Sequence, residues 1–230
     1  MLIMGDKDIL VDVCCGPCSI PLGDICKELK DKGLGDLKIT FYITDDNVHP
    51  YSEYVRRLDS IKIVAEHYSF NVMVDEYKPQ EWFNLVRGLE DEKENGRRCE
   101  LCYKHRLTRA AKYALANGYK NFTTTLTTGP SKDAKLVNKI GTEIATKYGL
   151  TFIEHDLKKK GGFLKSVVLS NQLGLYRQNY CGCIYSMMEK GRIEHEKAEN
   201  DSTERQAKTT LISKAEVFHS PKKIVATQKI

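Results

Sequence analysis

The chain has 230 residues, of which 41% are hydrophobic and 29% charged, enough apolar material for one packed domain with room for an appendage. Its net charge of +5 and pI of about 8.6 permit a polyanionic partner without requiring one. No apolar run approaches the roughly eighteen residues of a membrane span. The opening residues also lack the basic and apolar regions of a secretory signal, so the expected location is the cytoplasm, with no membrane partner.

Strands and helices alternate along the sequence. Ile9–Val13 is a short β-branched run that predicts a first strand. It runs into Cys14-Cys15-Gly16-Pro17-Cys18, a turn in which Pro17 suits the first position of a helix. Helical spacing follows from Ser19 to Lys32, then a second strand over Leu37–Ile43, and a strong helix over Glu53–Tyr68 behind His49-Pro50. Phe70–Val74 predicts a third strand, and Pro79 opens another helix. The charged stretch Gly88–Arg98 reads as irregular, and a helix is expected from Arg98 to Asn117. Asn121–Thr125, a helix over Lys132–Tyr148 and a strand from Thr151 complete the pattern. A more irregular, helical region then carries the last cysteines.

This alternation points to an α/β fold, a mainly parallel sheet with helices on both faces. In such sheets ligands bind beyond the carboxyl ends of the strands, where the strand order reverses. Cys14 and Cys15 lie just past the first strand. The turns at Asn47-Val48-His49 and Thr127–Pro130 should open on the same rim. Residues 1–192 are expected to form the α/β domain, and residues 193–230, polar and of mixed charge, a peripheral extension.

Eight cysteines in a reducing compartment more often bind metal or carry out redox chemistry than staple a fold. Six fall into three pairs. Cys14-Cys15 disfavours a mutual disulfide, leaving a shared metal site or two inert buried thiols. Cys99 and Cys102 stand one helical turn apart, a spacing that suits zinc, an iron–sulfur cluster or a dithiol couple. Arg97, Arg98, Lys104, His105 and Arg106 around them favour thiolates. Gly182 lets Cys181 and Cys183 face one point, either as a labile disulfide or as a chelate. A structural zinc needs four ligands, so six paired sulfurs divide more naturally into a four-cysteine cluster and a redox-active pair. Cys18 is open as a further participant, and Cys26, among Ile20, Leu22 and Leu29, is expected in the core. No dinucleotide fingerprint or Walker sequence is present.

The Cys14-Cys15-Gly16-Pro17-Cys18 segment resembles the opening of the short, cobalamin-independent epoxyqueuosine reductase family. Further segments match in order: Asn47-Val48-His49-Pro50, Arg56-Arg57-Leu58, Glu81-Trp82-Phe83 and Gly88-Leu89-Glu90-Asp91. Gly96-Arg97-Arg98-Cys99-Glu100, Phe122–Leu126, Lys158-Lys159-Lys160 and the run Gly174–Cys183 follow. The resemblance spans roughly residues 8 to 188. It implies a Rossmann-like fold and a two-electron reduction of the epoxide of epoxyqueuosine in tRNA, giving queuosine. It also implies a 4Fe-4S cluster on Cys14, Cys15, Cys99 and Cys102. Cys181 and Cys183 would then be a redox-active pair or ligands of an adjacent mononuclear iron. Three places depart from the family's pattern: Asp12 where a His is usual, Thr44-Asp45-Asp46 before Asn47, and Gly129-Pro130-Ser131-Lys132-Asp133 after the fourth strand.

The implied substrate is a wobble base in an anticodon loop, and the electrons come from an external low-potential donor. His49 and Tyr180 are candidate proton donors on the rim. Arg97, Arg98, Arg106, Lys158, Lys159, Lys160 and Arg177 are candidates to line a path for RNA. Two other classes compete: a zinc-stabilised RNA-binding module without redox activity, and a thiol–disulfide oxidoreductase built on Cys99 and Cys102.

Overall fold

The computed structural model describes residues 8–32, 37–195 and 197. The chain divides into two compact units, Met1–Met187 and Met188–Ile230. In the second, residues 188–195 are helical. Most of the expected extension, 193–230, lies outside the described residues, as does Gly33, the expected stop of the first helix.

The first unit runs β1 (Asp8–Asp12), α1 (Gly16–Asp31), β2 (Lys38–Ile43), α2 (Tyr51–Tyr68), β3 (Asn71–Val74), α3 (Pro79–Leu85) and α4 (Arg97–Ala116). It continues through β4 (Asn121–Thr124), a 3-10 turn at Leu126–Thr128, α5 (Ala134–Tyr148), β5 (Thr151–Phe152), a second 3-10 turn at Lys159–Gly161 and α6 (Gly162–Gln172). The five strands are all parallel, in the order β3-β2-β1-β4-β5. The α/β expectation therefore holds. The strand order reverses between β1 and β4, which makes the gap beyond their carboxyl ends the natural ligand site.

Alternation along each strand sends side chains to opposite faces. Ile9, Val11 and Val13 point into a core with Ile20 and Leu22 of α1 and Ile61 and Val64 of α2. Leu10 and Phe122 point into the other, with Leu107, Ala110 and Ala114 of α4 and Val137 and Ile140 of α5. Cys26 lies buried in the first core, as its apolar neighbours suggested. The layers are tight where α1 meets α2: a Cβ on Gly16 would stand 2.5 Å from the Ser60 carbonyl oxygen.

Boundaries moved for local reasons. Helix α1 begins at Gly16, with Pro17 in its first turn, so the whole cysteine turn feeds directly into a helix. Helix α5 begins at Ala134, because the Asp133 carboxylate accepts the Lys135 and Leu136 amides at 2.9 and 3.3 Å and caps it. Gly149, at φ 67°, ends that helix in the left-handed conformation that glycine adopts freely.

Candidate active site at the sheet switch point

The site is built around one stripe of α4. Cys99, Cys102, Arg106 and Arg109 recur at three- and four-residue steps and so share a helix face. Arg106, 1% exposed, reaches under the ends of the strands. Its guanidinium donates to Asp12 Oδ1 at 2.8 Å, Asn47 Oδ1 at 2.8 Å and the Val13 carbonyl at 3.2 Å, and it pairs with Asp45. Thr124 Oγ1 of β4 donates to the second Asp12 oxygen at 2.8 Å. Arg109 pairs with Asp46 and Asp75. Burial pushes the Asp45 carboxyl up to about 6, against the pull of the Arg106 charge.

This arrangement corrects two expectations. Arg106 is a buried structural cation rather than a surface contact for RNA. Arg98 is likewise 1% exposed and donates to the Leu89 and Glu90 carbonyls at 3.1 and 2.8 Å, tying down the charged stretch before α4. Asp12 and Asp45, two of the family departures, are buried partners of Arg106 and do not face the rim.

Above Arg106 lies a cavity of about 260 Å³, lined by Cys14, Cys18, Cys102, Lys132, Gln178 and Cys181 among others. Four of the eight cysteines, from three distant stretches of chain, thus border one space. The sulfurs of Cys14, Cys15 and Cys18 lie within 4.8 Å of one another, with Cys15 and Cys18 joined as a disulfide. Cys18 therefore belongs to the group. Among the described residues no other trio of sulfurs is as tight. Cys99 lies a turn before Cys102 on α4, and Cys183 packs with Cys102, Trp82 and Val86.

Burial pushes the Cys14 and Cys183 thiols up to about 11 and raises those of Cys99 and Cys102 as well. These thiols hold their protons unless a metal or an oxidant displaces them. N–H groups already aim at several sulfurs: Asn95 at Cys99 (3.2 Å), Ser186 at Cys183 (3.4 Å) and the Gln178 amide at Cys15 (2.9 Å). Buried soft donors with N–H bonds to sulfur, beside fixed positive charge, fit a thiolate-bound metal group.

Cys181 has a different partner. Lys132 Nζ donates to its sulfur at 2.9 Å and to Glu94 Oε1 at 3.0 Å. Burial works against the Lys132 ammonium, but Cys181, Tyr103 and Glu94 together hold it charged, well above the ordinary lysine value. Ser131 and Ser186 donate to Glu94 at 3.0 and 3.2 Å, and Ser186 Oγ accepts the Cys181 amide at 3.1 Å. From the other side Arg57, fixed by Glu53 at 2.8 Å, donates to the Cys181 and Tyr180 carbonyls at 2.9 and 3.2 Å.

His49 does not border the cavity. Its ring stacks on Phe83 with centroids 4.5 Å apart and lies 5.1 Å from Trp82, and neither ring nitrogen makes a hydrogen bond. Burial pulls its pKa down to about 4, so the ring is neutral near pH 7. Its backbone does the positioning: the His49 amide donates to the Gly182 carbonyl at 2.8 Å, and its carbonyl accepts the Tyr180 hydroxyl. Tyr180 does border the cavity, with its proton committed to that carbonyl.

Lys132, Glu94 and Gln178 had no role assigned from sequence. Lys132 stood in a run already marked at the strand rim, and Gln178 in the final motif. Glu94 lay unmarked in a charged stretch.

Two outcomes follow. Arg106→Met leaves the buried Asp12 and Asp45 carboxyls without their cation, and should cost about 3–5 kcal/mol in chemical denaturation. Adding Asp45→Asn should recover part of that loss. Neutral His49 contributes stability in full above about pH 6.5 that is lost as pH falls toward about 4, since the unfolded chain takes up the proton first. His49→Phe should flatten the stability–pH curve in that window.

A family model described as epoxyqueuosine reductase QueH matches residues 9–189. A protein of that name from Thermotoga maritima is 36% identical over 185 residues, which cover 79% of this chain and 91% of the relative. Namesakes from Streptococcus pyogenes (32% identical; 80% and 71% covered) and Histophilus somni (33%; 82% and 75%) are also similar. Among solved structures, the U34-tRNA thiolase of Methanococcus maripaludis with its 4Fe-4S cluster superposes at a TM-score of 0.48 with 12% identity, over 98% of this chain and 78% of that one. That likeness carries no inference. The match over nearly the whole first unit and the identity to these relatives place the chain in the epoxyqueuosine reductase QueH family.

Proposed function

We infer that this chain is an oxidoreductase that reduces the epoxide of epoxyqueuosine in tRNA to the alkene of queuosine. The observation that carries this reading is the cavity at the switch point, where Cys14, Cys102 and Cys181 meet beside Lys132. Family membership supplies the reaction and the substrate.

With the Cys15–Cys18 disulfide reduced to two thiols by the external donor, Cys14, Cys15, Cys99 and Cys102 would hold a 4Fe-4S cluster, and Cys181 and Cys183 either a second iron or a reversible disulfide. When bound, the cluster supplies electrons one at a time, and an adjacent iron adds a Lewis acid for the epoxide oxygen. Removing that oxygen takes two electrons and two protons. Both C–O bonds break, an alkene forms and the oxygen leaves as water. Cys181 and Cys183 supply that count when their thiols close to a disulfide, and an external low-potential donor restores them. Cys181 and Cys183 stand as free cysteines, ready for either role.

Lys132 is the group placed to relay one of these two protons, giving it to the leaving oxygen and taking it back from the Cys181 thiol. Its charged Nζ lies at the cavity wall on Cys181, and Glu94 keeps it aimed there. Cys102 and Leu126 are buried in the cavity walls, 9% and 7% exposed, so substrate that fills the cavity would displace its water. Gly129, Pro130 and Ser131 close the β4 side.

The test is nucleoside analysis of epoxyqueuosine-tRNA after anaerobic incubation with the protein and a strong reductant. Wild-type protein should convert epoxyqueuosine to queuosine. Cys181→Ser and Cys183→Ser should abolish conversion and keep the visible colour of the cluster; loss of colour would instead make these two its ligands. Lys132→Met should slow turnover by about 10²–10⁴-fold, the usual worth of a positioned acid. Unchanged turnover in that variant would remove Lys132 from the mechanism.

A further inference from the structure

A second cavity, of about 210 Å³, adjoins the sulfur-lined one and shares Cys18, Gly129, Pro130 and Gln178 with it. Its far wall carries Phe163 of α6 and Arg177. None of the chemistry described above uses these two residues.

Arg177 differs from the other well-placed arginines. Arg57, Arg106 and Arg109 are each paired with a carboxylate. Arg177 is held by neutral oxygens only: one guanidinium nitrogen donates to the Ser166 carbonyl at 3.2 Å, to Ser170 Oγ at 3.1 Å and to Ser166 Oγ at 3.4 Å. Among the described residues it makes no ion pair. Burial bears on its charge with no acidic neighbour to offset it. Serine oxygens therefore fix the guanidinium in place and leave its charge for something else. Phe163 is 41% exposed, and the Arg177 Cζ lies 6.0 Å from its ring centroid. A partly exposed aromatic ring with an unneutralised guanidinium over it is a pairing that can bind an unstacked base and its phosphate.

We propose that the second cavity is a nucleotide subsite, which takes the residue flanking the modified base, stacks its base on Phe163 and pairs its phosphate with Arg177. This rests on the reading of the chain as a reductase acting on RNA. The shared wall sets the spacing: a base in the second cavity lies next to Cys18 and Gln178, which also border the space where the epoxide must reach the sulfurs. Four of the seven residues expected to line an RNA path are thereby sorted. Arg98 and Arg106 are buried in structural roles, Lys158 Nζ donates to the Lys132 carbonyl, and Arg177 faces the substrate.

The test is steady-state kinetics of the metal-loaded full chain on three anticodon stem-loops. Each carries epoxyqueuosine; one is intact, and two are abasic at one or the other neighbour of the modified residue. Phe163→Leu should raise KM on the intact RNA by about ten-fold, with the change carried in KM rather than kcat. It should have no further effect on one of the abasic RNAs, because the base that stacks is already gone. Arg177→Gln should also raise KM and lower the log–log salt slope of KM by about 0.7, the share of one single-strand phosphate. Unchanged KM in both variants would overturn the subsite, as would a loss equal on all three RNAs, which reports a structural defect. If the wild type reduces none of the RNAs, the reading of the reaction fails, and the subsite with it; wild-type turnover with unaffected variants removes the subsite alone.

Discussion

The buried ion cluster of Arg106 with Asp12 and Asp45 is the constraint on which the site depends. Asp12 ends β1 and Asp45 follows β2, while Arg106 belongs to a helix on one face of the sheet. Joining them fixes how α4 sits over the strand ends. Cys14 and Cys15 are the next two residues after Asp12's neighbour Val13, and Cys102 precedes Arg106 by one turn on the same stripe of α4. One guanidinium therefore sets the distance between two cysteine pairs eighty-odd residues apart in sequence. Such a cluster gains little net stability, because desolvation cancels most of the attraction. Its contribution is geometric, and that explains why an apolar core would not serve equally well here.

The second sulfur pair is held by other means. The Cys181-Gly182-Cys183 loop is gripped by Arg57, by the His49 amide and by Lys132. Gly182, at φ 142°, is required there, since a Cβ would stand 3.0 Å from an Arg57 nitrogen. The two sets differ in electrostatics. Burial raises the thiols of Cys14, Cys99 and Cys102, so their protons are hard to remove, and it raises that of Cys183 in the second pair as well. Cys181 faces a lysine ammonium across a hydrogen bond. The charge partner on Cys181 is what separates the second pair from the first, and it suits a sulfur that takes part in turnover.

Much of this was legible in sequence. Alternating β-branched runs and helical stripes marked the parallel sheet, and the cysteine spacing marked the chemistry. The cysteine turn after β1 was readable as a site because Pro17 announces the following helix. Other parts were not readable, for a physical reason. Charge in a sequence does not say whether it is paired and buried, so Arg98 and Arg106 looked like contacts for phosphate. Asp12, an acid within an apolar strand, was the one visible sign of a buried partner. His49 looked like a rim acid because its loop was located correctly, but aromatic neighbours from α3 cover its ring. Glu94 matters only through Lys132 and Ser186, contacts made across long sequence distances that no local pattern encodes.

The central claim is that sulfurs from the turn after β1 and from α4 form one iron–sulfur site. Its most direct test is anaerobic purification followed by iron, zinc and acid-labile sulfide analysis with a visible spectrum. The account predicts a brown protein containing acid-labile sulfide and at least as much iron, any excess being a second iron on Cys181 and Cys183, with the colour lost in Cys99→Ser and Cys102→Ser. A colourless protein carrying zinc alone, even under strict anaerobic handling, would contradict it.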